Sequence, residues 1–338
     1  MRIALIGNDY IQQLPLISYG GIESCVENMA WGLYKNNHNF FVVVPKREQK
    51  KDYPFQIIET ENYAGKVSKK SSFEFANSLI KVLKQQKFDV IWSQSYWSAK
   101  VLKELKKPVI CTIHDSCYRQ RNWMINSDYI RYRFISKFQF DHWIYKDWER
   151  FNSRFIYTGL VEDEFDLCCQ KENYALWVGS FTWGKRAKGL NVFVKLAKRN
   201  KHMDFFVYGA GDQKVEKWIL KKSKKIPNLD YKGELKKGEE HKNVFKKASY
   251  FIMPTQIHEA FGRVNIEALS KGTPVIASAN GCLPELINNE VGVSSNNLRV
   301  CSEGLSKQFD YKKIFEYSKK FCVNTEITKM DSFTKEAF

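Results

Sequence analysis

Short apolar runs alternate with helix-length periodic segments along most of these 338 residues, and that rhythm constrains the fold more than any single motif. A run such as Val42-Val43-Val44 is short and β-branched, as buried strands are, whereas residues 22–34 repeat apolar side chains at helical spacing. In the first half the strand pattern falls at 2–6, 40–44, 56–59, 90–93, 109–113 and 155–158, with helical periodicity at 22–34, 73–84 and 98–105. In the second half strands are expected at 175–178, 204–208, 229–232, 250–253, 275–277 and 292–294. Helices are expected there at 190–198, 214–224, 239–247 and 263–270. Repeated βα units of this kind build parallel, doubly wound sheets. The rhythm breaks at 159–173, a polar and acidic crossover, so the chain reads as α/β with two successive sheets. The expected domains are 1–165 and 166–305. Residues 306–338 form a helical tail that the pattern does not place, a return to the N-terminal domain being one course open to it. In such folds ligands lie beyond the carboxyl ends of the strands, which puts the expected site in a cleft between the two domains.

Composition narrows the class. At 43% apolar and 27% charged residues the chain is globular, and no run of eighteen apolar residues predicts a spanning helix. The start, Met1 to Gly7, turns polar too soon for a signal peptide and reads as a first buried strand. Eight cysteines are scattered without a CxxC pair, which predicts reduced thiols in a cytoplasmic setting rather than a zinc site or a disulfide frame. The net charge of +17 is uneven: residues 1–168 carry 24 Lys+Arg against 19 Asp+Glu, and the remainder 30 against 18. That excess suits an acidic partner such as a nucleoside diphosphate, an anionic membrane surface or nucleic acid, and it equally suits a solvated lysine-rich surface. Lysine outnumbers arginine, which weakens a reading based on bidentate phosphate grip.

The residues with chemical promise sit where predicted strands end. An apolar run at 250–253 closes on Pro254-Thr255, and then comes His258-Glu259-Ala260-Phe261-Gly262-Arg263-Val264-Asn265-Ile266-Glu267. A loop presents Glu259, Gly262 opens a helix whose first N–H groups can face a phosphate, and Glu267 can turn back toward the same mouth. Two solvated glutamates on an amphipathic helix would give the same letters. Gly20-Gly21 precedes the first helix, where adjacent glycines allow close backbone approach to a ligand or simply make a turn. His114 ends the strand 109–113 and can reach a sugar hydroxyl or cap a helix. After the strand 175–178, the loop Gly179 to Gly189 carries Lys185, Arg186 and Lys188 ahead of a helix, an arrangement suited to a diphosphate. Glu162-Asp163-Glu164 has the look of a metal-binding DxD, but its place in a polar crossover reads as linker. Neither G-x-G-x-x-G after the first strand nor a Walker motif is present.

Taken in order, Gly20-Gly21-Ile22-Glu23, Thr112-Ile113-His114-Asp115, Lys188-Gly189, Tyr208-Gly209-Ala210-Gly211-Asp212, the segment Pro254 to Glu267, and Gly272-Thr273-Pro274-Val275-Ile276-Ala277 resemble the retaining GT-B glycosyltransferases of family 4, over residues 1 to about 294. The resemblance implies a GT-B fold, two doubly wound Rossmann-like domains facing across a cleft. It implies retaining transfer from a nucleoside-diphosphate sugar, UDP- or GDP-linked, to a glycan or lipid-linked glycan, with no metal or other cofactor required. Carried over by position, Gly20 and Gly21 lie beside donor and acceptor, and His114 contacts the transferring sugar. Lys188 binds the diphosphate and Glu259 meets sugar hydroxyls. The backbone of Phe261-Gly262-Arg263 holds sugar and phosphate, and Glu267 accepts from the ribose. Two positions depart from the pattern. Many relatives carry an arginine where Ser180 stands, which leaves Lys185 or Arg186 to supply its charge, and Arg263 replaces a common aliphatic residue, as suits an acidic or phosphorylated sugar.

Between Tyr118 and Trp148 ten aromatic residues alternate with cations, a pattern shared by peripheral membrane surfaces and by helices that cover a sheet. Besides transfer to a glycan, two other functions stay open: glycosylation of nucleic acid, which the basic balance permits but does not favour, and a non-catalytic subunit that kept the fold.

Overall fold

In the computed structural model the βα rhythm becomes two parallel sheets. The structure describes residues 1–8, 13–16, 20–63, 69–95, 98–116, 124–144, 146–236 and 238–338. The first sheet comprises β1 (Arg2–Ile6), β2 (Asn39–Lys46), β3 (Gln56–Tyr63), β4 (Val90–Ser93), β5 (Val109–Ile113), β6 (Ile130–Phe134) and β7 (Ser153–Phe155), in the order β3-β2-β1-β4-β5-β6-β7. The second comprises β8 (Glu172–Val178), β9 (Asp204–Tyr208), β10 (Leu229–Gly233), β11 (Ala248–Met253), β12 (Val275–Ala277) and β13 (Gly292–Ser294), in the order β10-β9-β8-β11-β12-β13. All pairings between these strands are parallel. Strand order reverses between β1 and β4 and again between β8 and β11. At such a reversal the helices after the two central strands leave toward opposite faces, and a crevice opens at the carboxyl edge. Each sheet is a doubly wound, Rossmann-like domain.

The chain divides into Met1–Val161 with Phe321–Phe338, and Glu162–Lys320. These divisions differ from 165/166 and 305/306 for reasons visible in the hydrogen bonds. The turn Glu162–Glu164 already belongs to the second unit, since the Glu164 carbonyl accepts from Ser270 Oγ at 3.0 Å and the Asp166 N–H donates to the Ser270 carbonyl at 3.0 Å. At the other end, the helix Tyr311–Ser318 remains with that unit, where the Tyr317 hydroxyl donates to the Leu286 carbonyl at 2.8 Å.

Residues 321–338 pack on the first unit. Leu160 and Cys322 form a parallel bridge, with the Leu160 N–H donating to the Phe321 carbonyl and the Val323 N–H to the Leu160 carbonyl. The helix Val323–Ala337 then buries Val323, Ile327, Met330 and Phe333 against Val26, Met29, Ala30 and Leu33. Each such apolar side chain contributes roughly 1.5–3 kcal/mol when fully buried. Gly32 is where the two helices touch: a Cβ there would lie 2.6 Å from Ile327 Cδ1.

β6 was not among the expected strands, and its sequence, Ile-Arg-Tyr-Arg-Phe, explains why. Alternating arginines look like a solvated face. Arg133 is instead fully buried, its Nη2 2.6 Å from Glu326 Oε1 on the C-terminal helix. It also donates from Nε to the Ile156 carbonyl (3.0 Å) and from Nη2 to the Tyr157 carbonyl (3.1 Å). Glu326 Oε2 accepts from the Gly159 N–H at 2.6 Å. Among the described residues of the aromatic-basic stretch, Tyr132, Phe134 and Trp143 are sealed in the core, and Phe140 and Trp148 pack against it. Tyr118, Trp123 and Tyr145 lie outside the described residues, and Tyr129 and Phe151 are exposed. No helix among the described residues is long and apolar enough to cross a membrane. The last first-domain strand falls at Ser153–Phe155 rather than 155–158.

Removing one member of a buried ion pair strands the other charge, at a cost of roughly 3–5 kcal/mol. Glu326→Ala is expected to lower the urea unfolding free energy by about that much, and the paired change Arg133→Met with Glu326→Leu to recover most of it. A loss below about 1 kcal/mol in the single variant, the size expected of an exposed pair, would show that the pair does not hold the terminal helix.

Candidate active site

In the second unit the site is assembled by two loops that glycine allows to approach the backbone. The loop after β8 is tied to the end of β9 by the Gly179 N–H on the Tyr208 carbonyl (3.1 Å) and the Phe181 N–H on the Ala210 carbonyl (2.8 Å). A short helical turn, Gly184–Ala187, leads to Lys188-Gly189. Gly189 is left-handed, φ +73°, and a Cβ on it would fall 1.8 Å from the Pro254 carbonyl oxygen. This contact lays the loop directly on the chain leaving β11. The Ala187 carbonyl accepts from Thr255 Oγ1 (2.8 Å) and the Gln256 N–H (2.9 Å), and the Trp177 indole N–H holds the Lys188 carbonyl at 3.1 Å.

Glu259 is fixed from its other side. Its backbone bridges Gly281, whose φ of +69° and missing Cβ leave room for the Glu259 amide and carbonyl. The Cys282 N–H donates to the Glu259 carbonyl at 3.0 Å, and Asn280 Nδ2 donates to the Thr255 carbonyl at 2.7 Å. The two loops therefore bring Lys188 Nζ within 2.6 Å of Glu259 Oε1 at the reversal between β8 and β11. Glu259 is buried and Lys188 about a quarter exposed, so the carboxylate leans on one partly solvated cation. Burial pushes the neighbouring Cys282 thiol well above its ordinary range, with Glu285 and Glu259 adding to the shift, which leaves it a poor nucleophile.

Past Glu259, Phe261 is buried and Gly262 is left-handed, φ +72°, as it opens the seven-residue helix Arg263–Leu269. Asn265 Nδ2 folds back on the Gly262 carbonyl at 2.8 Å and fixes that turn. Glu267, on this helix, is buried with its Oε2 sealed from solvent and without a hydrogen bond. His241 Nε2 lies 3.5 Å from Oε2, and the Lys271 ammonium is close enough for its charge to be felt by the carboxylate.

The expected diphosphate residues diverge. Ser180 Oγ bonds Thr182 Oγ1 (2.8 Å) and accepts from the Thr182 N–H (3.2 Å), making a local turn. Lys185 lies over the Trp218 ring, 5.1 Å from its centroid, while Arg186 is exposed. Among the described residues no group of three or more His, Cys, Asp or Glu could hold a metal ion. Glu162-Asp163-Glu164 is a 3₁₀ turn whose last carbonyl accepts from Ser270 and Lys271.

In the first unit Gly20 caps the helix Gly21–Lys35, and Glu23 in its first turn accepts from Asn8 Nδ2 at 3.1 Å. Gln13 Nε2 donates to the Asn8 carbonyl and side-chain oxygen at 2.7 and 2.9 Å, so a buried polar cluster backs the two glycines at the end of β1. His114, at the end of β5, pairs its Nε2 with Gln94 Oε1 at 2.9 Å. Gln94 and His241 were not expected. Gln94 follows β4 as His114 follows β5, which is the signal that could have found it. Nothing in the local sequence marks His241.

Comparison with known proteins decides the class. The family model described as glycosyl transferases group 1 matches residues 165–307, and that described as glycosyltransferase family 4 matches residues 19–156. The chain belongs to the GT-B glycosyltransferases of family 4. Over 156 aligned positions this glycosyltransferase is 28% identical to an uncharacterized glycosyltransferase of Methanocaldococcus jannaschii, an alignment covering 40% of this chain and 38% of that protein. The chain thus spans about two fifths of the length of the curated relative it matches. Among solved structures it is similar to AviGT4, a glycosyltransferase involved in avilamycin A biosynthesis (TM-score 0.74, 16% identity, 99% of this chain and 97% of that one). It also resembles sucrose-phosphate synthase of Thermosynechococcus elongatus (0.75, 15%, 99% and 98%) and Anabaena HepE in complex with UDP and glucose (0.71, 13%, 98% and 99%). At these identities the likeness speaks for the fold.

The glycine at 189 can be tested against its neighbour. Gly184 and Gly189 share a φ near +72°, but a Cβ at Gly184 meets nothing within 4 Å. Gly184→Ala should cost only the left-handed penalty of about 1–2 kcal/mol. Gly189→Ala should cost at least about 2 kcal/mol more, from overpacking against the Pro254 carbonyl. Equal losses in urea denaturation would mean that the close approach does not position Lys188.

Proposed function

We propose that this glycosyltransferase moves a sugar from a nucleoside-diphosphate donor to a glycan or lipid-linked glycan and keeps the configuration of the anomeric carbon. The observation that carries the reading is the Lys188–Glu259 pair at the strand reversal, with the buried Glu267 carboxylate on the helix that follows. A single ammonium cannot neutralise Glu259 and a diphosphate equally. When a donor enters, its diphosphate draws Lys188 away from Glu259, and Glu259 is released to accept hydrogen bonds from sugar hydroxyls. Binding and sugar recognition are coupled through that exchange. Glu267, already desolvated, accepts from the ribose hydroxyls, where a hydrogen bond to a charged group is worth roughly 1.5–3 kcal/mol.

In the transfer step the acceptor oxygen bonds the anomeric carbon on the face from which the diphosphate departs. The bond from that carbon to the β-phosphate oxygen breaks, and the acceptor proton passes to the leaving phosphate. Lys188 offsets the charge that grows on that phosphate, a preorganised electrostatic contribution that calls for no metal. Lys188 and Arg186 are the diphosphate cations in this reading, with Lys185 resting on Trp218 and Ser180 shaping the loop. The backbone of Phe261-Gly262-Arg263 lines the sugar and phosphate side. His114, oriented by Gln94, contacts the transferring sugar, and Gly20 and Gly21 border the donor and acceptor. The solved complexes of HepE with UDP and with UDP-glucose make UDP-linked sugars the first donors to try.

The two glutamates separate in kinetics. Glu267→Ala is expected to raise the donor KM by about tenfold or more with kcat little changed, because the ribose contact is made in ground and transition state alike. Glu259→Ala is expected to lower kcat chiefly. Undiminished turnover and unchanged KM in both variants would remove these residues from the site, and an inverted product anomer would rule out retaining transfer.

A further inference from the structure

We infer that His241 is a positioning residue that fixes the Glu267 carboxylate for the nucleotide ribose. This rests on the donor-site reading above and adds a partner to it. His241 lies in the first turn of the helix Glu239–Lys247, between β10 and β11, whereas Glu267 lies on the helix between β11 and β12. The two helices pack so that His241 (8% exposed) and Glu267 (9% exposed) meet side by side. His241 Nε2 and Glu267 Oε2 are 3.5 Å apart. Both atoms are sealed from solvent and neither has a hydrogen-bond partner.

Two complementary polar atoms left unpaired in one buried spot are costly unless they serve each other. With the proton on Nε2, a donor faces an acceptor across a gap that an approach of a few tenths of an ångström turns into a hydrogen bond. Site hydrogen bonds are commonly long before a ligand tightens them. The imidazole is confined on its other side by Phe245, whose ring centroid is 4.8 Å away and which is itself packed on Phe251 at 5.3 Å. Lys271, four residues past Glu267, directs its ammonium to the Glu164 carbonyl, and Ser270 Oγ takes the Glu267 backbone carbonyl at 2.9 Å rather than the carboxylate. His241 is thus the side chain placed to hold Oε2. With Oε2 held, Oε1 meets the ribose hydroxyls from a fixed angle, and less ordering of the carboxylate is left for the nucleotide to bring about.

The test titrates the full chain with UDP, GDP and ADP by calorimetry, and then titrates the 2′,3′-dideoxy counterpart of whichever binds most tightly. His241→Leu keeps the volume but removes the N–H, and should weaken the ribonucleotide roughly tenfold. The dideoxy compound, which lacks the hydroxyls, should bind the parent and His241→Leu alike. His241→Gln, which restores an N–H donor, should recover most of the lost affinity, and in a Glu267→Ala background His241→Leu should add nothing. Equal weakening toward both nucleotides would mark His241 as merely structural and overturn the inference, as would an unchanged ribonucleotide affinity in a folded His241→Leu. If Glu267→Ala itself leaves affinity unchanged, the donor-site reading fails first. If Glu267→Ala weakens binding and His241→Leu does not, only the role of His241 falls.

Discussion

The Pro254 carbonyl occupies the space that any side chain at residue 189 would need. That close approach lets the loop after β8 lie on the chain leaving β11, and the Lys188–Glu259 contact depends on it. Three hydrogen bonds lock the contact, two from Thr255 and Gln256 to the Ala187 carbonyl and one from the Trp177 indole to the Lys188 carbonyl. Gly281 does the same for the loop on the far side of Glu259. Two positions without side chains thus determine where one ammonium and one carboxylate meet. A parallel sheet supplies the place, because strand order reverses between β8 and β11 and leaves their carboxyl ends uncovered by crossing helices.

The same logic recurs, with other residues, in the first unit. Strand order reverses between β1 and β4, and there Asn8, Gln13 and Glu23 form a buried cluster behind Gly20-Gly21, with Gln94 and His114 on the next strands along. Polar side chains buried at the mouth of a sheet are tolerated when they satisfy one another. The Arg133–Glu326 pair is a different device. It lies inside the unit and fastens the last helix to β6, with Nη2 and Oε1 close but poorly aligned, so the attraction is mainly between charges. Its backbone partners, the Ile156 and Tyr157 carbonyls and the Gly159 N–H, spread those charges over the chain that leaves β7.

Much of the fold was legible because buried parallel strands are continuous apolar runs. Residues 2–6, 90–93, 109–113, 204–208 and 275–277 each match an observed strand end for end. β6 escaped for the opposite reason: a strand with arginines at alternate positions reads as solvated unless the distant partner of Arg133, 193 residues along the chain, is known. The tail escaped likewise, because its apolar positions have meaning only against the helix Gly21–Lys35. At the candidate site, Lys188, Glu259 and Glu267 lie beyond the carboxyl ends of β8 and β11, strands that the apolar pattern predicts. The pairing of the first two was not legible, since the Lys188–Glu259 contact spans 71 residues and depends on two left-handed glycines. His241 lies on a helix face with no local signal, and only the packing of two helices reveals it.

The central claim is that the Lys188–Glu259 pair marks a nucleoside-diphosphate sugar site, and thermal unfolding tests it most directly. A ligand that binds the native state alone raises the melting temperature by linkage. With UDP-, GDP-, ADP- and dTDP-sugars in turn, at least one should raise the melting temperature of the full chain, and Lys188→Ala, folded to the same extent, should lose most of that rise. A rise of equal size in Lys188→Ala, or no rise with any of the four, would contradict the account.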